Sequence, residues 1–417
     1  MDVVVVGAGP AGAALALLLA RCGARVRLVE RETSSSRVFR GEGLMPLGLD
    51  ALGEMDLGWS VEELPGAVVE SWRIYIDGEQ VLRIPEPVRH LGARAFRVAS
   101  PSALIDRLVA AAGDHAGFSF HPGTRFVDVL REAGGRVTGV RVESGGVRGE
   151  WAADLVVGCD GRGSPVRTKA GLTLTLEPEQ YDVLWCKVPP PPALADRTDF
   201  LIMVRAGEHP LIAYTSWDGS LQCGVIMPKG ALGGFAGDDW LDRAIAAAPH
   251  DLAAHVLAHR DEVEGPIRLN VLVGRAPDWC APGVLLLGDA AHPMSPVRAQ
   301  GINLALRDVI VAANHLAPLA GTDPGAGAVD AACRAVQRER EPEIVRAQRL
   351  QRREAAGQGD ARSGSWRFAL ARRGARLLGG YGWAQRAWLR RQHDLRFGSV
   401  PVHLRGAGAG AGTPPAS

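Results

Sequence analysis

The feature that most constrains the fold is a glycine-rich turn close to the first residue. Residues 2–6 form a short apolar, β-branched run, which is typical of a buried parallel strand. The turn at residues 7–12 follows with the spacing G-x-G-x-x-G, and residues 13–21, rich in alanine and leucine, favour a helix. Residues 24–30 predict a second strand that ends on an acid. This order of elements predicts a Rossmann-like dinucleotide-binding unit.

Each glycine of this turn has a physical role in such a unit. Gly7 allows the tight turn, Gly9 lets the backbone approach a pyrophosphate, and Gly12 lets helix and strand pack closely. The N-terminus of the helix faces the phosphates with its partial positive charge. Glu30 lies 23 residues after Gly7, where it can accept hydrogen bonds from ribose hydroxyls.

A second glycine-containing segment, about 280 residues later, completes the pattern. Residues 285–287 predict another buried strand, which Gly288 and Asp289 follow, and a helix is predicted from Gln300. An aspartate at the end of an apolar strand exposes its carboxylate to polyol hydroxyls, and the start of the helix aims backbone N–H groups at a flavin ring. Together the two segments predict the two halves of one FAD site.

Composition limits the possible partners and locations. The net charge is +1, so the overall electrostatics indicate no nucleic-acid partner. No apolar run reaches the roughly 18–20 residues of a membrane span, so we expect no integral membrane segment. The six cysteines show neither a CxxC pair nor the spacing of metal ligands, so we expect no metal site and reduced thiols in a cytoplasmic protein.

The succession of patterns along the chain predicts an α/β fold. We expect a Rossmann-like FAD-binding domain, an inserted, mainly β substrate domain and a helical C-terminal region. The FAD-binding domain is predicted to be discontinuous, at 1–70, 95–175 and 276–320. The remaining predicted parts are the inserted sheet at 71–94 and 176–275, the helices at 321–405 and a disordered tail at 406–417. Two sheets that meet at a cofactor form a cleft, the usual place for a substrate pocket.

Three motifs together resemble one enzyme family. The first is the fingerprint from Gly7 to Glu30, the second is the Asp-Gly segment D-L-V-V-G-C-D-G-R-G-S-P-V-R at residues 154–167, and the third is G-D-A-A-H-P at residues 288–293. They are similar to those of the class A FAD-dependent monooxygenases, the p-hydroxybenzoate hydroxylase-like aromatic hydroxylases. The resemblance covers about residues 1–175 and 280–320.

The resemblance implies a set of cofactor contacts. In the family the Asp-Gly segment serves FAD and NAD(P)H handling, and the aspartate that matches Asp289 binds the FAD ribitol. Arg40 and Arg97 fall where the family places arginines near the FAD. His292 is expected to pack structurally within its motif. The residues expected at the cofactor are Gly7, Gly9, Pro10, Ala11, Gly12, Glu30, Arg31, Arg40, Arg97, Asp160, Gly288, Asp289, Pro296, Gln300, Gly301, Ile302 and Asn303.

The resemblance also implies a reaction. NADPH or NADH reduces the FAD, O2 adds to give a flavin C4a-hydroperoxide, and one oxygen atom is transferred to an aromatic or other electron-rich small molecule, in secondary metabolism. The cofactor carries this chemistry and the protein supplies orientation and a dry pocket. Epoxidation of an electron-rich alkene, a flavin-dependent halogenase, a prenyl reductase and a non-catalytic flavoprotein remain alternatives.

The substrate pocket is the least determined part of the sequence analysis. The family loop commonly carries a glycine before this helix, whereas residues 296–301 here read P-V-R-A-Q-G. Arg298 therefore either stands at the mouth of the pocket, to bind a substrate anion or steer the flavin, or pairs with a carboxylate. A regular strand cannot point both Tyr214 and Trp217 to one side. For each aromatic or apolar candidate, ordinary core packing is the competing interpretation. The full set of pocket candidates is Tyr75, Trp185, Met203, Tyr214, Trp217 and Arg298.

The last helical region is rich in arginine and aromatic residues. Between residues 360 and 396 these arginines form either a basic face for an acidic partner, such as a carrier protein that holds the substrate, or solvated helices whose arginine stems pack over aromatic rings.

Overall fold

The computed structural model describes residues 1–34, 41–178, 181–362, 366–378 and 381–405. Arg40 and the predicted disordered tail at 406–417 lie outside these residues. The strands, in chain order, are β1 Asp2–Val6, β2 Arg25–Val29, β3 Gly43–Leu44, β4 Gly66–Ile76, β5 Glu79–Pro85, β6 Arg97–Ala99, β7 Phe118–His121, β8 Thr124–Arg131, β9 Val137–Ser144, β10 Val147–Ala152, β11 Leu155–Gly158, β12 Thr175–Leu176, β13 Tyr181–Val188, β14 Thr198–Val204, β15 Leu211–Thr215, β16 Leu221–Pro228, β17 Glu264–Val271, β18 Gly274–Arg275, β19 Cys280–Ala281 and β20 Val284–Leu286.

The helices alternate with these strands in the first part of the chain and follow one another in the last part. In chain order they are α1 Pro10–Arg21, α2 Pro46–Glu54, α3 Val88–Leu91, α4 Pro101–Gly113, α5 Pro165–Lys169, α6 Pro192–Ala195, α7 Trp240–Ala244, α8 His250–Ala258, α9 Gln300–Ala320, α10 Ala326–Arg362, α11 Trp366–Leu378, α12 Gly382–Arg391 and α13 His393–Phe397.

A six-stranded sheet organises the two glycine-rich segments. Its order is β19-β20-β11-β1-β2-β7, and all neighbours are parallel except β19 and β20. Val4 pairs with Val156, which pairs with Val284, so three distant segments become adjacent strands. Because the carboxyl ends of parallel strands meet at one edge, the turns after β1, β11 and β20 lie together.

Alternating residues of this sheet belong to two different cores. Val3 and Val5 pack with the apolar helices α1, α4 and α9, whereas Val4 and Val6 pack with the three-stranded sheet β10-β9-β8 and residues near the inserted sheet. Strands that are apolar on both sides are typical of parallel sheets covered on both faces. The predicted α/β architecture with a Rossmann-like unit is confirmed.

The second large sheet has nine strands in the order β17-β13-β16-β15-β14-β4-β6-β3, with β5 paired to β4. Strand β4 continues across the predicted domain boundary at residues 70 and 71, pairing first with β6 and then with β14. Strands β3 and β6 and the first residues of β4, all predicted for the FAD-binding domain, therefore belong to the same sheet as the inserted strands, and the domain boundaries given above stay a prediction.

The helices of the last region pack against the unit that carries the glycine turns. α10 lies along α9, and α11 lies against β5. Residues 392–405 contact both predicted domains: Arg396 pairs with Glu86 of the inserted segment, and Asn314 of α9 donates to the backbone oxygen of His403 at 2.8 Å. Within the described ranges, no helix is long and apolar enough to cross a membrane.

Candidate functional site

The glycine turn after β1 is built so that two of its glycines cannot carry a side chain. Gly7 has φ +99°, and a Cβ placed there would lie 2.5 Å from the carbonyl oxygen of Cys159. A Cβ on Gly12 would lie 1.9 Å from Gly7 O. A Cβ on Gly9, in contrast, meets no atom within 4 Å. Gly7 and Gly12 therefore serve the packing of the turn, and Gly9 leaves its backbone open toward the adjoining cavity.

Helix α1 begins at this cavity. Gly9 is its N-cap and Pro10 its first residue, so the amides of Ala11 and Gly12 have no acceptor within the helix. Gly9, Pro10 and Ala11 line the cavity. These free amides and the helix dipole make an anion-binding position.

Glu30 sits at the end of β2, as the sequence predicts. Its carboxylate accepts hydrogen bonds from the amides of Ala8, at 3.0 Å, and Glu32, at 3.0 Å. Glu30 lines a smaller adjoining cavity together with Ala8 and Gly9. Arg31 is exposed, pairs with Glu32 at 3.0 Å and lines neither cavity.

The Asp-Gly segment lies at the end of β11. The Asp160 carboxylate accepts hydrogen bonds from Ser164 Oγ at 2.5 Å and from the Val166 amide at 2.8 Å, so it fixes the start of α5. Burial raises the pKa of Asp160. Its neighbours Cys159, Gly161 and Arg162 line the cavity, and Asp160 itself holds the segment in shape.

The Gly288-Asp289 turn follows β20 and faces the first glycine turn. Both residues line the cavity. Burial raises the pKa of the Asp289 carboxyl, and the positive charge of Arg162, also on the cavity wall, opposes this shift. An acceptor of this kind suits a polyol hydroxyl.

A buried ionic network supports this turn from behind. Asp308 accepts hydrogen bonds from the Gly288 amide at 3.1 Å, from Arg340 Nε at 2.8 Å, and contacts His292 Nε2 at 2.6 Å. His292 also packs against the Trp279 ring, with 4.8 Å between the centroids. His292 and Arg340 are almost wholly buried, so both pack inside this network and away from the cavity wall.

The loop before α9 completes the cofactor side of the cavity. Pro296, Gln300, Gly301 and Ile302 all line it. Asn303 is buried behind the loop and lies off the cavity wall. Its side chain accepts from the Met45 amide at 2.9 Å and donates to Gly43 O at 3.0 Å, so it braces the 41–45 segment against α9.

Arg298 does not face the cavity. Its backbone is left-handed, with φ +64°, and its guanidinium lies between the Trp72 and Trp388 rings, 4.9 and 4.6 Å from their centroids. It pairs with Glu354 at 3.0 Å. The pocket interpretation of Arg298 is therefore corrected: the residue pairs with a carboxylate and fastens the loop to the C-terminal helices.

Arg97 is buried in β6, off the cavity wall. Burial lowers the pKa of its guanidinium, and Nε has no hydrogen-bond partner among the described residues. Glu62 attracts the guanidinium, but a buried N–H without an acceptor still costs free energy.

The inserted sheet presents one face to the cavity. Val183 and Trp185 of β13, Phe200 of β14, and Ile212 and Tyr214 of β15 line it. Gly224 on β16 makes room for the Trp185 ring, which lies 2.4 Å from where a Cβ would be. Trp185 and Tyr214 are thus the sequence candidates that the structure brings to the cavity.

Three other candidates lie elsewhere, two of them because side chains alternate along a strand. Met203 and its neighbour Tyr75 belong to the core on the opposite face of the sheet, with Leu201 and Ala213. Trp217 lies beyond the end of β15, beneath Lys187 Nζ at 5.7 Å from its ring centroid. Tyr75, Met203 and Trp217 are corrected to packing positions outside the cavity.

Glu42 was missed by the sequence analysis. It lies between Gly41 and Gly43, and all three line the cavity. Its side chain is buried, and burial raises its pKa to about 7. The sequence offered one indication of Glu42: it is an acid between two glycines, and it follows Arg40, which falls where the family places an arginine near the FAD.

The cavity as a whole runs from the glycine turns to the aromatic sheet face. Its empty space, together with the open solvent at its mouth, is about 1540 Å³. One end carries free helix amides and a carboxylate, and the other end is apolar and aromatic. The open Gly9 edge and the free amides at the start of α1 are what an extended, anionic dinucleotide such as FAD requires.

Comparisons with known proteins agree with this geometry. The family model described as "FAD binding domain" matches residues 1–335. The chain is 39% identical over 367 residues to 6-methylpretetramide 4-monooxygenase of Streptomyces rimosus, covering 84% of this chain and 82% of that one. It is 28% identical over 349 residues to squalene monooxygenase SE2 of Panax ginseng, covering 76% of this chain and 58% of that one.

Solved structures show the same fold. p-Nitrophenol 4-monooxygenase PnpA from Pseudomonas putida DLL-E4 superposes with a TM-score of 0.77 at 17% identity, covering 94% of this chain and 98% of that one. The two glycine segments, the cavity between them and these matches lead to one conclusion. The chain belongs to the FAD-dependent monooxygenase family.

Proposed function

We propose that this monooxygenase hydroxylates a planar aromatic small molecule, with NADPH or NADH as reductant and O2 as oxidant. One observation carries the proposal: a single cavity joins the glycine turns to an aromatic sheet face. Phe200 and Tyr214 stack in parallel there, with 5.1 Å between centroids and 10° between planes, and Trp185 stands edge-on to Tyr214. Such a wall suits a flat ring.

The residues expected to hold FAD are those at the first end of the cavity. We propose that the amides of Ala11 and Gly12 bind the pyrophosphate, that Glu30 binds a ribose, and that Asp289 binds the ribitol hydroxyls. FAD, when bound, supplies the redox and oxygen-activating chemistry.

The rest of the chain's contribution is orientation and exclusion of water. The start of α9, at Gln300 and Gly301, directs its dipole into the cavity, which favours negative charge on a bound ring. Val183, Ile212 and Val271 make the substrate end apolar, so water is kept from the reacting atoms.

The test uses purified holoenzyme with a panel of phenols, 6-methylpretetramide and squalene, under 18O2. We expect NADPH or NADH consumption that depends on an aromatic compound, with one labelled oxygen in the product. Labelled epoxide from the alkene alone would select the epoxidase alternative, which the likeness to a squalene monooxygenase supports. Oxidation of neither class would refute the proposal.

Two further proposals concern partners and location. Helices α11 and α12 expose Leu377, Trp383, Arg373 and Arg390, which supports an acidic carrier protein as a docking partner. We expect salt-sensitive retention of the wild type on an immobilised acyl carrier protein and loss of this retention in the double variant Arg373→Glu/Arg390→Glu. Equal retention of the wild type and the double variant would refute the docking proposal.

The cytoplasm is the proposed location, supported by six cysteines that are all free thiols.

A further inference from the structure

Glu42 is a buried carboxyl group on the wall of the ligand cavity. Its side chain and backbone are 3% exposed, and its own carbonyl oxygen accepts from the Ala99 amide at 3.0 Å, so the segment is fixed. Ser216 Oγ donates to Glu42 Oε2 at 2.7 Å. The carboxyl thus lies between the cofactor side of the cavity, at Gly41 and Gly43, and the aromatic sheet face.

The charged groups around Glu42 do not neutralise it. Lys187 on β13 attracts the carboxylate, but Lys187 is already paired with Asp218, whose own charge repels Glu42. Tyr214 faces it from β15, and its hydroxyl accepts a hydrogen bond from Gln222 Nε2 at 2.9 Å. Desolvation therefore dominates, and it raises the pKa of Glu42 to about 7.

A carboxyl in this position costs folding free energy that a glutamine or an apolar residue would not. Buried acids whose pKa lies near the working pH are concentrated at functional sites. Glu42 differs in this respect from Asp289 and Asp160, which lie on the glycine turns of the cofactor end. It is the carboxyl that adjoins the Tyr214 and Phe200 wall, where the substrate ring is proposed to lie.

We propose that Glu42 is a catalytic base that accepts the hydroxyl proton of a phenolic substrate held against Tyr214 and Phe200. The inference rests on the proposed aromatic hydroxylation. In the step, the phenol O–H bond breaks, its electron pair stays on the phenolate oxygen, and the proton moves to the Glu42 carboxylate. Nothing is oxidised or reduced, and the ring becomes more electron-rich before oxygen transfer.

The matched substrates for the test are 2-naphthol and the more acidic 6-cyano-2-naphthol, measured with wild type, Glu42→Gln and the exposed control Glu262→Gln. We expect kcat/KM of the wild type with 2-naphthol to rise with pH through about 7, following Glu42 deprotonation. Glu42→Gln should lose about 100-fold or more and lose this pH dependence, since general-base catalysis contributes on that order. At mildly alkaline pH, where 6-cyano-2-naphthol is ionised, the loss should shrink to less than about tenfold.

A second readout does not need turnover. Infrared difference spectra of the holoenzyme across neutral pH should show a protonated-carboxyl band that Glu42→Gln lacks and Glu262→Gln keeps. An unchanged pH profile in Glu42→Gln, with FAD retained and 2-naphthol still hydroxylated, would overturn the base role and leave the proposed function standing. A wild type that oxygenates no phenol would instead overturn the proposed function and the base role with it.

Discussion

Replacing Gly9 with valine separates binding of the cofactor from folding of the protein. Gly9 is the one glycine of the turn's three whose Cβ position is free of contacts within 4 Å, and its φ of −70° and ψ of 177° are open to valine. The free protein should therefore lose only the N-cap preference for glycine, about 1 kcal/mol of unfolding free energy or less. The valine side chain would project into the space that a pyrophosphate must enter.

The expected loss of affinity follows from the amides that the phosphates could no longer reach. Ala11 and Gly12 offer two N–H groups, and hydrogen bonds to a charged group contribute about 1.5–3 kcal/mol each. Losing both amounts to about 3–6 kcal/mol, or a roughly 10²- to 10⁴-fold higher Kd for FAD.

The assay is a titration of FAD-free protein with FAD, followed by flavin fluorescence, beside urea unfolding of the same samples. Gly12→Val is the contrasting variant, because its Cβ would lie 1.9 Å from Gly7 O and should destabilise the FAD-free fold itself. Normal FAD affinity in Gly9→Val would refute the assignment of the turn. Unfolding of FAD-free Gly9→Val would refute the view that Gly9 is open for a ligand.

Three more predictions concern the carboxylates and the network around the site. Asp289→Ala should raise the Kd for FAD about tenfold or more by removing an acceptor, and unchanged retention on dialysis would contradict this role. Arg340→Met should lower the unfolding free energy by about 3 kcal/mol, because the buried Asp308 then keeps only His292 and the Gly288 amide as partners. The exposed control Arg338→Met should change the unfolding free energy by less than about 0.5 kcal/mol. Equal urea midpoints for the two variants would contradict the role of Arg340. The pKa of Glu42 is raised from 4.5 to about 7 in the folded state, so the folded protein binds this proton more tightly than the unfolded chain does. The resulting stabilisation, about 3 kcal/mol, is fully present below pH 4.5 and is lost as the pH rises through about 7. Glu42→Gln should flatten the stability curve in that window, and an unaltered pH slope would count against the shift.

Local pattern was enough to predict the cofactor end of the site. The strand, turn and helix around Gly7 and Gly12 depend on close backbone contacts that residues other than glycine do not allow. The spacing of the glycines in the sequence therefore predicts these elements directly. The alternation of side chains explains the failures at the substrate end. Strand β14 is apolar on both faces, so nothing in its sequence tells Phe200, which reaches the cavity, from Met203, which does not.

The sequence left two interpretations of Arg298 open and did not indicate Glu42, for a different reason. The partners of Arg298 are Trp72, Trp388 and Glu354, which lie far from it in sequence and meet it through helix packing that no local pattern encodes. Glu42 lies between the cofactor end of the cavity and the inserted sheet, and it is held there by a hydrogen bond from Ser216, which is distant in sequence. The role of such a residue depends on which distant element packs over it, so the role can be identified only once the fold is known.

The parallel order β20-β11-β1 has a consequence for biosynthesis. The turn at Gly7 leaves the ribosome early, but the strand and helix that close its cavity begin at Val284 and Gln300. For most of translation the nascent chain therefore carries half a binding site, with the apolar face of α1 still lacking α9. We therefore expect stable FAD binding only after about 320 residues have emerged, which leaves the apolar face of α1 exposed to aggregation for most of synthesis.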